Sequence, residues 1–135
     1  CLALGAQGIN MGTRFMCTKE APIHDKVKRA LVAAGERDTN LILRTMRNTS
    51  RVLKNAVSDE VVAMEKKGAT FEEVRHMVAG ARGRNAMKTG DLDAGIVSAG
   101  MVIGLIKDIP TCKELIERIV RECREALAAA RAMAG

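Results

Sequence analysis

Gly12 and Thr13 are the residues whose types and spacing point most directly to chemistry. They sit within the stretch Gly8-Ile9-Asn10-Met11-Gly12-Thr13-Arg14-Phe15. A glycine lets the backbone approach a ligand closely, and the threonine sets a hydroxyl beside its own N–H. Segment 8–11 reads as a short buried strand, and donors gathered at the carboxyl end of a parallel strand are where α/β proteins hold phosphate groups. A Gly-Thr pair after a strand also serves as an ordinary turn, so these residues by themselves leave both readings open.

Other candidate groups are sparser. Arg82-Gly83-Arg84 reads as a basic, flexible connection that either binds an anion or is simply solvated. Ile96-Val97-Ser98-Ala99-Gly100 is a run of mostly small residues where the backbone could pass close to a ligand, or where a helix start packs tightly. His24 and His76 have no partners at metal-ligand spacing, and a surface or hydrogen-bonded role suits His24 at the start of a helix. Cys1, Cys17, Cys112 and Cys123 contain no C-x-x-C pair. Cys112 and Cys123 would stand about three turns apart on one helix, too far to bridge. Free thiols and no metal site are the expectation.

The elements that must position these groups are mostly helical. The chain has 135 residues, 47% of them apolar, with two Phe and no Trp or Tyr, so its core must come from Leu, Ile, Val, Met and Ala. Leu2-Ala3-Leu4 followed by Gly5 reads as the last turn of a helix closed at its C′ position. Helix, tight loop, strand and Gly-Thr make the αβ half of a βαβ unit, which demands a parallel sheet. No other strand is evident, so the partners of segment 8–11 are expected before Cys1 or in another chain, and the chain is read as a fragment. Apolar spacing places a helix from Pro22 to Gly35, another from residue 48 or 50 through Val57, and a third from near Ser58 to Gly68. Leu41-Ile42-Leu43 fits either a strand or a helix start. Thr70-Phe71-Glu72-Glu73 and Thr111-Cys112-Lys113-Glu114 are capping boxes. The first opens a helix that stops at Gly80; the second opens the longest helix, with Leu115, Ile116, Ile119, Val120, Cys123 and Leu127 on one stripe. A further helix is expected from Met101 to Asp108. The net charge of +6 comes from 22 basic and 16 acidic residues mixed at helix-surface spacings, with no aromatic platform for bases, which speaks against nucleic-acid binding. No apolar run approaches the length of a membrane span.

Leu2-Ala3-Leu4-Gly5-Ala6, Gly8 through Phe15, Thr18-Lys19-Glu20, Pro22-Ile23-His24, Arg47-Asn48-Thr49 with Arg51-Val52, Asn55-Ala56, and segments 80–84 and 90–104 together resemble the FMN-dependent nitronate monooxygenases, formerly called 2-nitropropane dioxygenases. The likeness covers nearly the whole chain in order. It is nearest to the members that act as NADH:quinone reductases, and the flavin-dependent enoyl-acyl-carrier-protein reductases share a similar Gly-Thr-Arg-Phe segment. The resemblance implies a mostly α fragment of an α/β protein: the last strand and closing helices of a (β/α)8 TIM barrel plus an inserted, mostly helical domain. Residues 1–16 would end the barrel, 17–97 would form the inserted cap and substrate domain, and 98–135 the closing helices. It implies FMN as cofactor, with Met11, Gly12 and Thr13 about its phosphate, and Ser98 facing the substrate. The catalytic histidine it implies lies before Cys1; His24 and His76 do not match it, so no catalytic residue is assigned in this chain.

The expected function is oxidative denitrification of alkyl nitronates with O2. Quinone reduction using NAD(P)H and enoyl-thioester reduction are the alternatives within this class. A cytoplasmic protein is expected, acting on a small-molecule substrate (nitronate or quinone), with no nucleic-acid or membrane partner. It would form a homodimer or pair with a missing N-terminal part. A free-standing helical interaction module is the reading from a different class.

Overall fold

Four of the longer helices begin where a side chain satisfies first-turn N–H groups, and the computed structural model, which describes residues 1–134, has those caps in place. Helix α1 (Thr13–Met16) is a single turn behind Gly12. Helix α2 (Asp25–Ala33) starts behind His24, whose Nδ1 accepts the Lys26 N–H at 3.2 Å. Pro22 lies in the irregular loop ahead of it rather than in its first turn. Helix α3 (Ala56–Lys66) opens on Asn55 and Ser58, which cap each other reciprocally. In α4 (Phe71–Val78) the Glu73 carboxylate accepts the Thr70 N–H at 2.7 Å. In α6 (Cys112–Ala134) the Glu114 carboxylate accepts the Thr111 N–H at 2.7 Å. Both boxes therefore act as their spacing implies. Glu20, from the loop before α2, adds a second cap to α6: its two carboxylate oxygens accept the Cys112 N–H at 3.0 and 2.9 Å.

The chain contains a hairpin: its first strand takes in Leu41 and Ile42, where strand and helix start were both open, and its second replaces the helix expected from residue 48 or 50. Strands β1 (Thr39–Ile42) and β2 (Ser50–Leu53) pair antiparallel, Thr39 opposite Leu53 and Ile42 opposite Ser50. Val52 and Leu53 point to opposite faces, each into a different apolar cluster. A run of apolar neighbours buried on both sides carries no alternation, so periodicity does not separate it from a helix. Segment 82–84 is likewise not a loose connection; it lies inside α5 (Gly80–Thr89). Beyond Gly100 a 3-10 turn, Met101–Leu105, replaces the helix expected up to Asp108. Gly104 there lies so close to Glu36 that an added Cβ would stand 2.8 Å from its backbone nitrogen.

Segment 8–11 forms no strand among the described residues: it is unpaired, and Ile9 is 55% exposed. A strand exists through its ladder, and β1 and β2 bond to one another, with β2 also bonding to residues 97–99. The turn ahead of it does close as expected. Leu2–Leu4 is a 3-10 turn ended by Gly5 at φ 88, whose N–H donates to the Leu2 carbonyl.

One apolar cluster gathers Cys17, Val27, Leu31, Leu53, Val97 and Ile103, so a single core runs across the boundary expected between residues 97 and 98. A second packs Ile42, Val52, Val57, Val61, Val74 and Met77 between the hairpin, α3 and α4. The stripe expected on α6 is only begun: Leu115 is its one buried residue, while Ile116, Val120 and Leu127 are exposed, as are Leu4 and Leu105.

Two outcomes follow from these contacts. Alanine is a better helix former than glycine by about 1 kcal/mol. Gly83→Ala in α5 is nonetheless expected to lower stability, by about 1–3 kcal/mol in urea unfolding, because the new Cβ would stand 2.6 Å from the Ile96 carbonyl oxygen; an unchanged or higher midpoint would refute the packing. Backbone N–H groups hold Glu20, Glu73 and Glu114 below their usual 4.5. Groups depressed in the folded state stabilise it above their unfolded value and lose that contribution as pH falls through the folded one. Helicity followed by circular dichroism should therefore hold down to about pH 4.5 and decline below it, and Glu114→Gln should shrink that decline.

Candidate active site

Folding brings the Gly-Thr corner against the small-residue run, 87 residues apart in sequence, through one hydrogen bond: Thr13 Oγ1 accepts the Gly100 N–H at 3.0 Å. Gly12 is the N-cap of α1, and its carbonyl accepts the N–H groups of Phe15 and Met16 at 3.0 and 3.1 Å. In a helix this short the N–H groups of Thr13 and Arg14 have no acceptor within the turn. A hydroxyl whose oxygen accepts still has its own proton to donate. Thr13 and Arg14 thus offer two N–H donors and one O–H. Nothing lies within 4 Å of where a Cβ on Gly12 would stand, so the corner opens on free space.

The other side of the site is a strand-like extension of the hairpin. Leu53 N–H donates to the Val97 carbonyl at 2.8 Å and Ala99 N–H to the Arg51 carbonyl at 3.3 Å, with Ser98 opposite Val52. Alternation along an extended chain sends neighbours to opposite faces. Val97 and Ala99 accordingly point into the core and Ser98 is exposed. Met11 lines a cleft of about 270 Å³ together with Arg14, Val102, Leu105 and Asp108. Of the residues singled out from the sequence, Met11, Gly12 and Thr13 are consecutive, and the Thr13–Gly100 bond sets them against the run in which Ser98 stands two residues earlier. His24 does not join them by any hydrogen bond: its imidazole caps α2 and packs against Gly90, where a Cβ would collide with the ring.

Two supports of the site were not legible beforehand. Asp108 is gripped by two arginines: Arg14 Nη2 at 2.9 Å on one carboxylate oxygen and Arg118 Nη2 at 2.8 Å on the other. Arg14 also donates to the Asp108 carbonyl at 3.2 Å, so α1 is tied to the segment ahead of α6 and, through Arg118, to α6 itself. No periodicity links these three positions, so nothing in the chain announces them. Asn55, beyond capping α3, donates through Nδ2 to the carbonyls of Leu92 and Gly95 at 2.6 and 2.8 Å. Arg82 Nε adds a bond to the Ala94 carbonyl at 2.8 Å. These bonds fasten the turn that feeds residues 96–100 onto β2. An asparagine ahead of a helix start is a cap signal, but its second task is long-range. The four cysteines are free thiols, and burial pushes the Cys17 thiol up from its usual value. Among the described residues no three His, Cys, Asp or Glu gather where they could hold a metal.

The chain is similar to several known proteins. The family model described as nitronate monooxygenase matches residues 1–122. The chain is 30% identical to the (3aS,4S,5R,7aS)-5-hydroxy-7a-methyl-1-oxo-octahydro-1H-indene-4-carboxyl-CoA dehydrogenase of Rhodococcus jostii, over 90% of this chain and 44% of that protein. It is 26% identical to a nitronate monooxygenase of Neurospora crassa, over 92% of this chain and 34% of that protein. Its fold is similar to that of FabK from Thermotoga maritima, with a TM-score of 0.88, 32% identity, and 97% of this chain matched to 41% of FabK. The chain thus spans less than half the length of each of these relatives. No helix among the described residues is long and apolar enough to cross a membrane. Matched by the family model over residues 1–122, the chain belongs to the nitronate monooxygenase family.

Proposed function

We propose that this chain supplies the phosphate grip and part of the substrate face of an FMN-dependent oxidoreductase that oxidises nitronates. The observation that carries the reading is the hydrogen bond joining Thr13 to Gly100, which brings residues 11–13 to the run that carries Ser98. Two unspent N–H groups and a hydroxyl beside an unfilled glycine suit a phosphate, because oriented backbone donors bind anions without needing a counter-charge. When bound, the flavin supplies the redox chemistry, and the protein's part is to bind and orient. Ser98 donates its hydroxyl proton to a nitro or carbonyl oxygen of the substrate and so turns it toward the cofactor. No general base is assigned in this chain. The exposed apolar residues of the 101–105 turn and of α6 are read as packing against the rest of a TIM barrel, with segment 8–11 as its last strand. Residues 17–97 are read as a cap over the flavin.

A second reading is favoured by the Rhodococcus relative, whose name is that of a carboxyl-CoA dehydrogenase. In it the Ser98 hydroxyl meets a thioester or ring carbonyl instead of a nitro group. Quinone reduction with NAD(P)H uses the same corner and the same cofactor, and so does enoyl-thioester reduction.

Titration of the intact protein with FMN, followed by flavin fluorescence, tests the grip. Thr13→Val should weaken FMN about tenfold or more, the value of a hydrogen bond to a charged group. Ser98→Ala should leave FMN affinity unchanged while lowering kcat/KM for the preferred substrate among nitronate, NADH with quinone, enoyl thioester and carboxyl-CoA. Unchanged FMN affinity in Thr13→Val contradicts the grip, and full activity in Ser98→Ala contradicts the substrate role.

A further inference from the structure

The loop joining β1 to β2, residues 43–49, carries two non-glycine residues in the left-handed region, Leu43 at φ 57 and Arg47 at φ 53. Residues with side chains keep that conformation only where their surroundings enforce it. At Leu43 the enforcing group is Glu65 of α3, which is 8% exposed. Its Oε2 accepts the Leu43 N–H at 2.7 Å, and its Oε1 accepts the Thr45 N–H and hydroxyl at 3.2 and 3.1 Å. Both oxygens are engaged by the loop backbone and Thr45.

Between this loop and the end of α3 lies a cleft of about 530 Å³, walled by Arg44, Thr45, Thr49, Glu65 and Lys66 over a floor of Leu41 and Val62. The ion pairs among the described residues engage Arg14, Arg75, Lys113, Arg118 and Arg121; Arg44, Arg47 and Lys66 are in none of them. Of these, Arg44 and Lys66 line the cleft, whose one carboxylate, Glu65, has both oxygens engaged by the loop; two like charges on one concavity repel, and an anion between them relieves that repulsion. A guanidinium offers a planar fork matched to phosphate, an ammonium adds a point charge, and threonine hydroxyls complete the donors.

We propose that this cleft binds the phosphate group of a ligand through Arg44, Lys66 and the hydroxyl of Thr49, on a loop held in shape by Glu65. It is a different place from the Thr13–Ser98 site. The cleft borders β1, whereas residues 97–99 pair with β2 on the other side of the hairpin. The assignment does not rest on the flavin reading.

Isothermal titration of the intact protein with ADP, and separately with inorganic phosphate, at constant ionic strength tests this. The wild type should bind ADP with a Kd of about 1 mM or tighter. Arg44→Gln with Lys66→Gln should weaken it at least tenfold, and Thr49→Val alone, which leaves the Glu65 contacts intact, should weaken it severalfold. Arg124→Gln with Arg131→Gln, an equal charge change on the exposed face of α6, should leave it unchanged, as should Thr13→Val. If phosphate alone binds with the same sensitivity, the phosphate group is the recognised element; if only ADP does, the nucleoside contributes. No binding of either up to about 10 mM overturns the proposal. Equal weakening by the two charge pairs overturns it, as does loss confined to Thr13→Val.

Discussion

The hydrogen bond from the Gly100 N–H to the Thr13 hydroxyl oxygen is the contact on which the arrangement turns. A loop that long is costly to close in entropy, so one bond between two polar groups could not hold it. The bond survives because both of its ends are already placed. Gly100 follows Val97 and Ala99, whose side chains are locked in the core while their backbone is laddered to β2. Thr13 opens α1, whose second residue is held by the Asp108 bracket. The bond therefore orients two fixed elements rather than assembling them.

Around it, polar residues position and apolar residues immobilise. Asn55 and Arg82 hold the 92–95 turn through its carbonyls. Glu20 holds the loop before α2 against the start of α6. Neither contact buries much area, and each side chain near the surface contributes little by itself. Their effect is geometric: they decide where Ser98 and Thr13 stand relative to each other. The close approach of Gly83 and Gly95 to segments 94–96 and 82–83 serves the same end, since a side chain at either position would push α5 away from the turn it supports.

The sequence revealed what is local. Both Thr–Glu capping boxes and the Gly5 turn are recognisable within a few residues, and the structure has them where the spacing says. The Gly-Thr corner and Ser98 were recognisable as residue types, and family likeness put them in order along the chain. The hairpin was not legible, because β2 is buried on both faces and so lacks the alternation that marks a strand. Arg82-Gly83-Arg84 read as a loose connection for a related reason: Gly83 is small because Ile96 lies against it, and that contact is 13 positions away in the chain. Segment 8–11 has the composition of a strand, yet strand identity depends on a neighbour, and none of the described residues supplies one. The Arg14–Asp108–Arg118 bracket is equally tertiary in origin.

What joins these observations is a single claim, that the open corner at Gly12 and Thr13 faces a flavin phosphate with Ser98 beside the bound substrate. A crystal structure of the intact protein with FMN bound tests it most directly. The account predicts phosphate oxygens within hydrogen-bond distance of the Thr13 N–H and hydroxyl, with Ser98 bordering the open face of the flavin ring. A flavin held elsewhere, with Gly12 and Thr13 turned into protein or solvent, would contradict it.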